Sequence, residues 1–182
     1  MKITISGKPG SGKSSVAKLI AKKLKLQHYS AGDLWRELAK NKKITILELN
    51  KLAEKDDKYD HQLDKNVEML GKTKDNFVID GRLTFNFIPD SIKIFLDADL
   101  NTRAKRIHKD ARAEEDNKDI NDTLNKLRAR ESSEKKRYKQ LYGIDPYTAD
   151  NFDFVIDTSS ISVDEVVSQV VSFVKMKISQ TL

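Results

Sequence analysis

The sequence has no cysteine among its 182 residues, and this absence excludes both a disulfide framework and a zinc site built on thiolates. Histidine is scarce as well. The three histidines, His28, His61 and His108, are scattered along the chain and form no close pair. We therefore expect ordinary surface or internally satisfied histidines, and no structural metal site.

Long apolar stretches are also missing. No part of the sequence approaches the roughly 20 apolar residues that a membrane-spanning helix needs. The first residues run from Met1 directly into a glycine-rich turn at Gly7, without the apolar stretch of a secretory signal. With no repeat and no low-complexity linker, the sequence predicts a single domain over residues 1–182, in the cytoplasm and without a membrane partner.

Positive charge, in contrast, is in excess: the formal net charge is +6 and the pI is about 9.3. A basic chain can bind nucleic acid, bind small polyanions such as nucleotides, or carry the charge only for solubility. Acidic residues separate the lysines, and neither a basic tail nor an aromatic-rich strand face is present. We therefore do not expect nucleic acid to be a partner.

Apolar periodicity predicts strands that alternate with helices, which is typical of an α/β fold with a parallel sheet. The predicted strands cover residues 2–6, 26–29, 76–80, 91–96 and 153–156. The predicted helices cover residues 13–25, 31–40, 45–55, 59–70, 100–109, 119–142 and 163–178. Five strands with helical crossovers predict a doubly wound domain with helices on both faces of the sheet. Ligands of such sheets bind outside the carboxyl ends of the strands.

The strongest motif is G-x-x-x-x-G-K-[ST] at residues 7–14, which follows a predicted strand and opens a predicted helix. Its glycines let backbone N–H groups turn inward around phosphate oxygens, and the helix adds its positive end. Lys13 would reach the β- and γ-phosphates of ATP, and Ser14 would ligate Mg²⁺. The predicted ATP-binding residues are Gly7, Lys8, Pro9, Gly10, Ser11, Gly12, Lys13, Ser14 and Ser15.

An acid ends the third predicted strand. Asp80 stands where the second acid of P-loop enzymes holds Mg²⁺ or one of its waters. A helix cap is the alternative role, because Gly81 begins a turn. A regulatory GTPase is excluded, since no aspartate lies three positions before any glycine and no N-K-x-D motif is present.

Arginines indicate phosphoryl transfer, because fixed cations supply most of the catalysis when charge spreads over the transferred oxygens. Arg36 follows the second strand, and Arg82 follows Asp80 and Gly81. Arg130 and Arg137 are seven residues apart and share one helix face. We expect Lys13, Arg82, Arg130 and Arg137 to be catalytic. The alternative for each arginine is a solvated surface charge.

Two further arginines, Arg103 and Arg106, share a face of the preceding helix, and for them too a surface charge is the alternative. A general base is not conspicuous. A phosphate monoester is already largely a dianion at neutral pH, so a nucleoside monophosphate could attack without prior proton removal. A sugar or shikimate hydroxyl would need a base.

These motifs resemble those of the nucleoside monophosphate kinases, and most closely the short archaeal-type cytidylate kinases. The resemblance covers nearly the whole chain and rests on residues 7–15, 30–36, 80–83, 128–138 and 142–145. It implies a P-loop kinase with a helical region for the acceptor at about 31–71 and a short helical lid at about 110–140. It also implies ATP with Mg²⁺ as donor and CMP or dCMP as acceptor. We further expect a monomer.

The resemblance implies roles for single residues as well. Arg36 and Arg82 match arginines that hold the acceptor phosphate, and Asp33 lies in the same element as Arg36. Arg130 and Arg137 match lid arginines that bridge the two nucleotides. For the base, a carboxylate can accept from the N4 amino group of cytosine. The candidates are Asp60 and Asp64, one helical turn apart; solvated helix acids are the alternative.

Adenylate kinase is the main competitor within this family. Those enzymes follow the acid and glycine with Phe-Pro-Arg and then a glutamine that reads adenine, whereas here Thr84 and Ile88 stand at those positions. Bacterial cytidylate kinases carry the motif D-G-R-D, and in this chain Leu83 replaces its final aspartate. The bacterial enzymes also have a Ser or Thr at the position of Ala31. Two alternative functions remain: another small-molecule kinase, and a P-loop ATPase that binds nucleic acid.

Overall fold

The computed structural model describes residues 1–109 and 119–180. It has five strands: β1 (Lys2–Gly7), β2 (Gln27–Ser30), β3 (Phe77–Asp80), β4 (Ile92–Asp97) and β5 (Phe154–Asp157). Its α-helices are α1 (Lys13–Leu24), α2 (Ala31–Asn41), α3 (Ile46–Ala53), α4 (Lys58–Thr73), α5 (Thr84–Phe87), α6 (Leu100–Lys109), α7 (Ile120–Tyr142) and α8 (Val163–Ser179). A short 3₁₀ turn covers Ala149–Asn151.

All five strands form one parallel sheet in the order β2-β3-β1-β4-β5, which confirms the predicted doubly wound fold. The central strand β1 pairs with β3 and β4. Side chains alternate across it: Ile3 and Ile5 enter the larger core, and the Thr4 hydroxyl lies 3.0 Å from that of Ser91 on the other side. Parallel strands covered on both faces explain the short apolar runs of the sequence.

Helices pack on both faces of the sheet, as predicted. One face carries α1 and α8, where Ile20 and Val170 are fully buried against β1 and β4. The other face carries α2, α4 and α5, where Val67 and Ile88 pack on Phe77 of β3. The first face buries more apolar residues, so it forms the main core, whereas the second carries the helices that surround the candidate site.

The predicted element boundaries agree with the structure to within three residues; the strand ends differ by one residue, and the larger differences lie at the ends of α3 and α4. The sequence analysis missed α5 and the 3₁₀ turn, because four residues or fewer carry no periodic signal. The predicted acceptor region at 31–71 falls on α2, α3 and α4. In the predicted lid, residues 119–140 fall mostly on α7, and residues 110–118 lie outside the described residues. The assignment of the chain to one domain stays a prediction.

The carboxyl ends of all five parallel strands lie at one edge of the sheet, where β2 ends at Ser30. β1 ends at Gly7, β3 at Asp80, β4 at Asp97 and β5 at Asp157. The register aligns Ile5 with Asp80 across neighbouring strands. Over residues 1–109 and 119–180, no helix is long and apolar enough to cross a membrane.

Candidate active site

The loop between β1 and α1 has the backbone of a phosphate cradle. Gly7 and Gly12 have φ of 148° and 90°, which L side chains rarely adopt. A Cβ at Gly7 would lie 2.1 Å from the carbonyl oxygen of Leu96, so only glycine fits there. Within the described residues, no side chain caps the first turn of α1. Its N–H groups and the positive end of the helix are therefore available to an anion.

Lys13 begins α1 and turns back over this loop. Its ammonium group is buried and donates to the carbonyl oxygen of Lys8 at 2.8 Å. Burial and the charge of Arg82 lower the pKa of Lys13 well below its usual value, while Asp80 and Glu134 oppose that effect. An anionic ligand at the loop would stabilise the charged form of this lysine in the same way as those two carboxylates.

Asp80 lies beside Ser14, and three side chains hold its carboxylate. Ser14 Oγ donates to Oδ2 at 2.8 Å, Ser30 Oγ donates to Oδ2 at 3.2 Å, and His28 Nε2 lies 2.9 Å from Oδ1. Burial would raise the pKa of Asp80, but the hydrogen bonds with His28 and Ser14 and the charge of Lys13 outweigh it and lower the pKa. The carboxylate is thus kept ionised.

The Ser14–Asp80 pair fits a magnesium ion by the chemistry of its donors. A hydroxyl and an ionised carboxylate are oxygen ligands, and the two oxygens are already neighbours. Among the described residues, no three His, Cys, Asp or Glu side chains cluster to cage a metal. Such a site would need phosphate oxygens as further ligands, as magnesium sites in kinases do. The alternative role as a helix cap is absent, because α5 has Leu83 as its N-cap residue.

The turn after β3 directs Arg82 toward α7. A Cβ at Gly81 would lie 2.6 Å from Thr84 Cγ2 and 2.8 Å from Ala31 Cβ, so the turn packs tightly against the start of α2. Arg82 Nε then donates to Glu134 Oε2 at 2.7 Å. The glycine therefore brings a strand-end arginine onto a residue of the distant helix α7.

Glu134 is a buried carboxylate at the centre of a charge cluster. Arg82 donates to it, Arg130 Nε donates to Oε1 at 3.0 Å, and the Tyr147 hydroxyl donates to Oε2. Burial alone would raise the pKa of Glu134, but the two guanidinium groups hold it well below its usual range. The predicted catalytic residues Arg82 and Arg130 are therefore gathered at one carboxylate, close enough to affect the pKa of Lys13.

Arg103 and Arg106 support the phosphate loop from α6. Arg103 is 3% exposed; it donates to the carbonyl oxygen of Ala98 at 2.8 Å and of Pro9 at 3.2 Å, and pairs with Glu131 of α7. Arg106 Nη1 donates to Thr158 Oγ1 at 2.9 Å, and this hydroxyl donates to the carbonyl oxygen of Ser11 in the loop at 3.2 Å. The surface-charge alternative is therefore wrong for both arginines.

The acceptor-side acids lie between α4 and α7. Asp60 Oδ2 is 3.2 Å from Arg137 Nε, and Asp64 accepts a hydrogen bond from the Tyr142 hydroxyl. Burial raises the pKa of Asp64 to about 6, although the bond from Tyr142 opposes the rise. Burial likewise raises the pKa of Asp60, against the charge of Arg137. The alternative of two solvated helix acids is therefore wrong.

Arg36 and Asp33 are the exception among the predicted site residues. Arg36 Nη2 donates to Asp33 Oδ1 near the start of α2, and both side chains are exposed, at 39% and 60%. The structure thus places this pair on the first turns of α2, directly after β2.

Several residues of the site were not predicted. Glu134 was missed as a site member, and so were His28, Tyr142 and Tyr147, which contact predicted residues. Helical spacing of four could have found the pair of Arg130 and Glu134. No local signal connects Glu134 to Arg82. His28 is internally satisfied, as expected, but its partner is the carboxylate of the site.

A parallel sheet, a phosphate loop with a buried lysine, and arginines gathered opposite it define a P-loop kinase. The chain belongs to the cytidylate kinase-like family, whose model matches residues 2–160. It is 39% identical over 180 residues to the cytidylate kinase of Sulfolobus acidocaldarius, covering 97% of this chain and 96% of that protein. It is 34% identical over 184 residues to the cytidylate kinase of Sulfurisphaera tokodaii, covering 100% and 99%. The predicted family resemblance is confirmed.

A solved structure supports the same fold. Shikimate kinase from Bacteroides thetaiotaomicron superposes with a TM-score of 0.65 and covers 96% of this chain and 98% of that one. The sequence identity is 12%, so the likeness extends to the arrangement of strands and helices alone.

Proposed function

We propose that the protein transfers the γ-phosphoryl group of ATP to CMP or dCMP and so forms ADP and CDP or dCDP. The observation that carries the proposal is the grouping of Lys13, Arg82 and Arg130 around one buried carboxylate beside the phosphate loop. Membership of the cytidylate kinase-like family supports the choice of acceptor.

For the donor, we assign the phosphates of ATP to the backbone N–H groups of residues 7–15 and to the ammonium of Lys13. Ser14 and Asp80 would hold Mg²⁺, which when bound shields the charge of the β- and γ-phosphates. Asp80 is suited to this because it is ionised and held in place by His28 and Ser30. Arg103 and Arg106 keep the loop in position and need not touch the nucleotide.

For the acceptor, we assign the phosphate of CMP to Arg36 and Arg82. An oxygen of that phosphate forms a bond to the γ-phosphorus, and the bond between this phosphorus and the bridging oxygen of ADP breaks. The acceptor phosphate attacks as a dianion, so no protein base is required. Lys13, Arg82 and Arg130 stabilise the charge on the transferred oxygens. The predicted part of Arg137 in this step stays a prediction.

The transfer also requires that water be kept from the γ-phosphate, because otherwise the enzyme would hydrolyse ATP. Helix α7 carries Arg130, Glu134 and Arg137, and its Glu134 meets Arg82 just after the carboxyl end of β3; we assign this helix the function of a lid. Asp60 and Asp64 would accept from the N4 amino group of the base.

The experiment is ADP formation from ATP and Mg²⁺ with CMP, dCMP, UMP, AMP, GMP, shikimate or no acceptor. We expect strong stimulation by CMP or dCMP. Stimulation by AMP alone would keep the arginine roles and replace the base assignment, and stimulation by shikimate alone would replace the acceptor class. If no acceptor stimulates ADP formation, the proposal is wrong, and RNA retention at low salt becomes the next measurement.

A further inference from the structure

A buried acid and a buried arginine face each other between α4 and α7 without a complete hydrogen bond. In the part of the chain that the structure describes, neither Asp60 Oδ2 nor Arg137 Nε has a hydrogen-bond partner, although the two atoms are 3.2 Å apart. Their side chains are 5% and 19% exposed. Buried polar groups are nearly always satisfied, so an adjacent unused acceptor and donor indicate a ligand.

The guanidinium of Arg137 is held in one orientation. The ring of Tyr138 lies 5.2 Å from its central carbon, and the carboxylate of Asp60 lies on its Nε side. Asp60 is positioned on α4, whose Tyr59 and Val67 are buried in the neighbouring cores. The acceptor and the donor are therefore fixed next to each other by two separate helices.

The position of this pair along α7 corresponds to the base of an acceptor nucleotide. From Glu134 to Tyr142, helix α7 rises about 12 Å, which is comparable to the length of an extended nucleoside monophosphate. The Glu134 end lies at the proposed phosphate site, so the base falls further along the helix. The successive contacts along α7 are Glu134 with Arg82, Arg137 with Asp60, and Tyr142 with Asp64.

The polarity of the pair matches one edge of cytosine. The base presents an amino donor at N4 next to an acceptor at N3, which is the complement of a carboxylate next to a guanidinium N–H. Uracil presents a carbonyl at position 4 and an N–H at position 3, so both contacts would become repulsive. Adenine has the same polarity as cytosine along N6 and N1, and the pair would have to reject AMP by size.

We propose that Asp60 and Arg137 together read this edge of cytosine and thereby exclude uracil, Asp60 accepting from N4 and Arg137 donating to N3. The inference rests on the proposed function and deepens it. It assigns Arg137 to the base, and it separates Asp60 from Asp64, whose carboxylate is already hydrogen-bonded to Tyr142.

The test is the ratio of kcat/KM for CMP to kcat/KM for UMP in the full chain. Asp60→Asn adds an amide donor that suits uracil O4, so we expect the ratio to fall about 10- to 100-fold, which is the range for losing one two-point base contact. Arg137→Lys removes the planar Nε–H that donates to N3 of cytosine, so we expect the CMP-to-UMP ratio to fall in this variant as well. Asp57→Asn is the matched control: it removes the same charge from an exposed residue next to the same helix, and the ratio should not change.

The outcomes separate the inference from the proposed function. If the unmodified protein phosphorylates CMP and both variants keep its CMP-to-UMP ratio, the inference is overturned and the proposed function stands. If the unmodified protein does not phosphorylate CMP, both fail. Should Asp60→Asn not fold, Arg137→Lys decides: a changed ratio supports the pair, and an unchanged ratio overturns it.

Discussion

The donor side and the acceptor side of the cleft are built in different ways. The donor side is a contiguous loop, whose main contribution is backbone N–H groups and one lysine at the start of α1. The acceptor side is assembled from side chains of the turn after β3, of α4 and of α7, which are far apart in the sequence. The first depends on glycine geometry, and the second depends on tertiary packing.

Because of this difference, substitutions on the donor side and on the acceptor side should have different effects on activity. Phosphates look alike in all nucleoside triphosphates, so a backbone cradle need carry no information about the base. Side-chain pairs at the acceptor side can distinguish one base edge from another. Donor-side changes should therefore slow transfer to every acceptor equally, whereas acceptor-side changes should also alter selectivity or stability.

The largest effect is expected from Lys13→Met on the donor side. The buried ammonium would no longer stabilise the transferred phosphoryl group, so kcat should fall about 10³-fold with every acceptor. Lys18→Met is the matched control, because Lys18 is an exposed lysine of the same helix and lies outside the phosphate loop. Steady-state kinetics with CMP and UMP test this; comparable losses for both variants would contradict the role of Lys13.

Arg130→Ala should give the next largest effect. One lost cation raises the barrier by roughly 3–4 kcal/mol, about 10²–10³-fold in kcat, with little change in ATP affinity. Arg128→Ala removes the same charge from an exposed residue of the same helix and should leave kcat unchanged. The measurement is kcat beside the dissociation constant of ATP. Weaker ATP binding with an unchanged kcat would move Arg130 out of the transfer step.

Glu134→Gln tests whether the two sides are coupled. The amide cannot neutralise Arg82 and Arg130, so we expect a loss of about 3 kcal/mol in the free energy of unfolding and about 10- to 100-fold in kcat. Glu134→Asp should recover part of both. Urea unfolding and steady-state kinetics give the two numbers, and a variant with unchanged stability and kcat would remove Glu134 from the arrangement of the arginines.

Asp64→Asn should give the smallest effect, and one that depends on pH. The pKa of Asp64 is raised from 3.8 to about 6 in the folded chain. A raised pKa means that the folded state binds the proton more tightly, so this stabilisation is present below pH 3.8 and is lost as the pH rises through 6. Relative to Asp64→Asn, the protein should lose about 1–3 kcal/mol in the free energy of unfolding between pH 4 and pH 7.

Tyr142→Phe sharpens the last test. The hydrogen bond from Tyr142 opposes the rise in the pKa of Asp64, so its removal should steepen the loss of stability with pH. Urea unfolding at several pH values compares the three proteins. If the free energy of unfolding changes with pH in the same way for the unmodified protein and for Asp64→Asn, Asp64 is not the group that titrates.

The donor side could be predicted from the sequence almost completely. The loop at residues 7–14, Ser14 beside Asp80, and the strand before and helix after the loop were all expected and are present. On the acceptor side the sequence indicated Arg82, Arg130, Asp60 and Asp64 as single residues. It did not indicate their partners Glu134 and Tyr142, and the contact between Arg82 and Glu134 spans 52 positions.

The physical reason lies in the range of the forces involved. Glycine geometry, strand alternation and the positive end of a helix act over a few residues, so the sequence by itself determined the phosphate loop, the parallel sheet and the family. Burial and pairing act between elements that meet only in the folded chain. Only the tertiary structure decided that Glu134 gathers two arginines, that Asp60 meets Arg137, and that Asp60 is buried where sequence spacing allowed a solvated helix face.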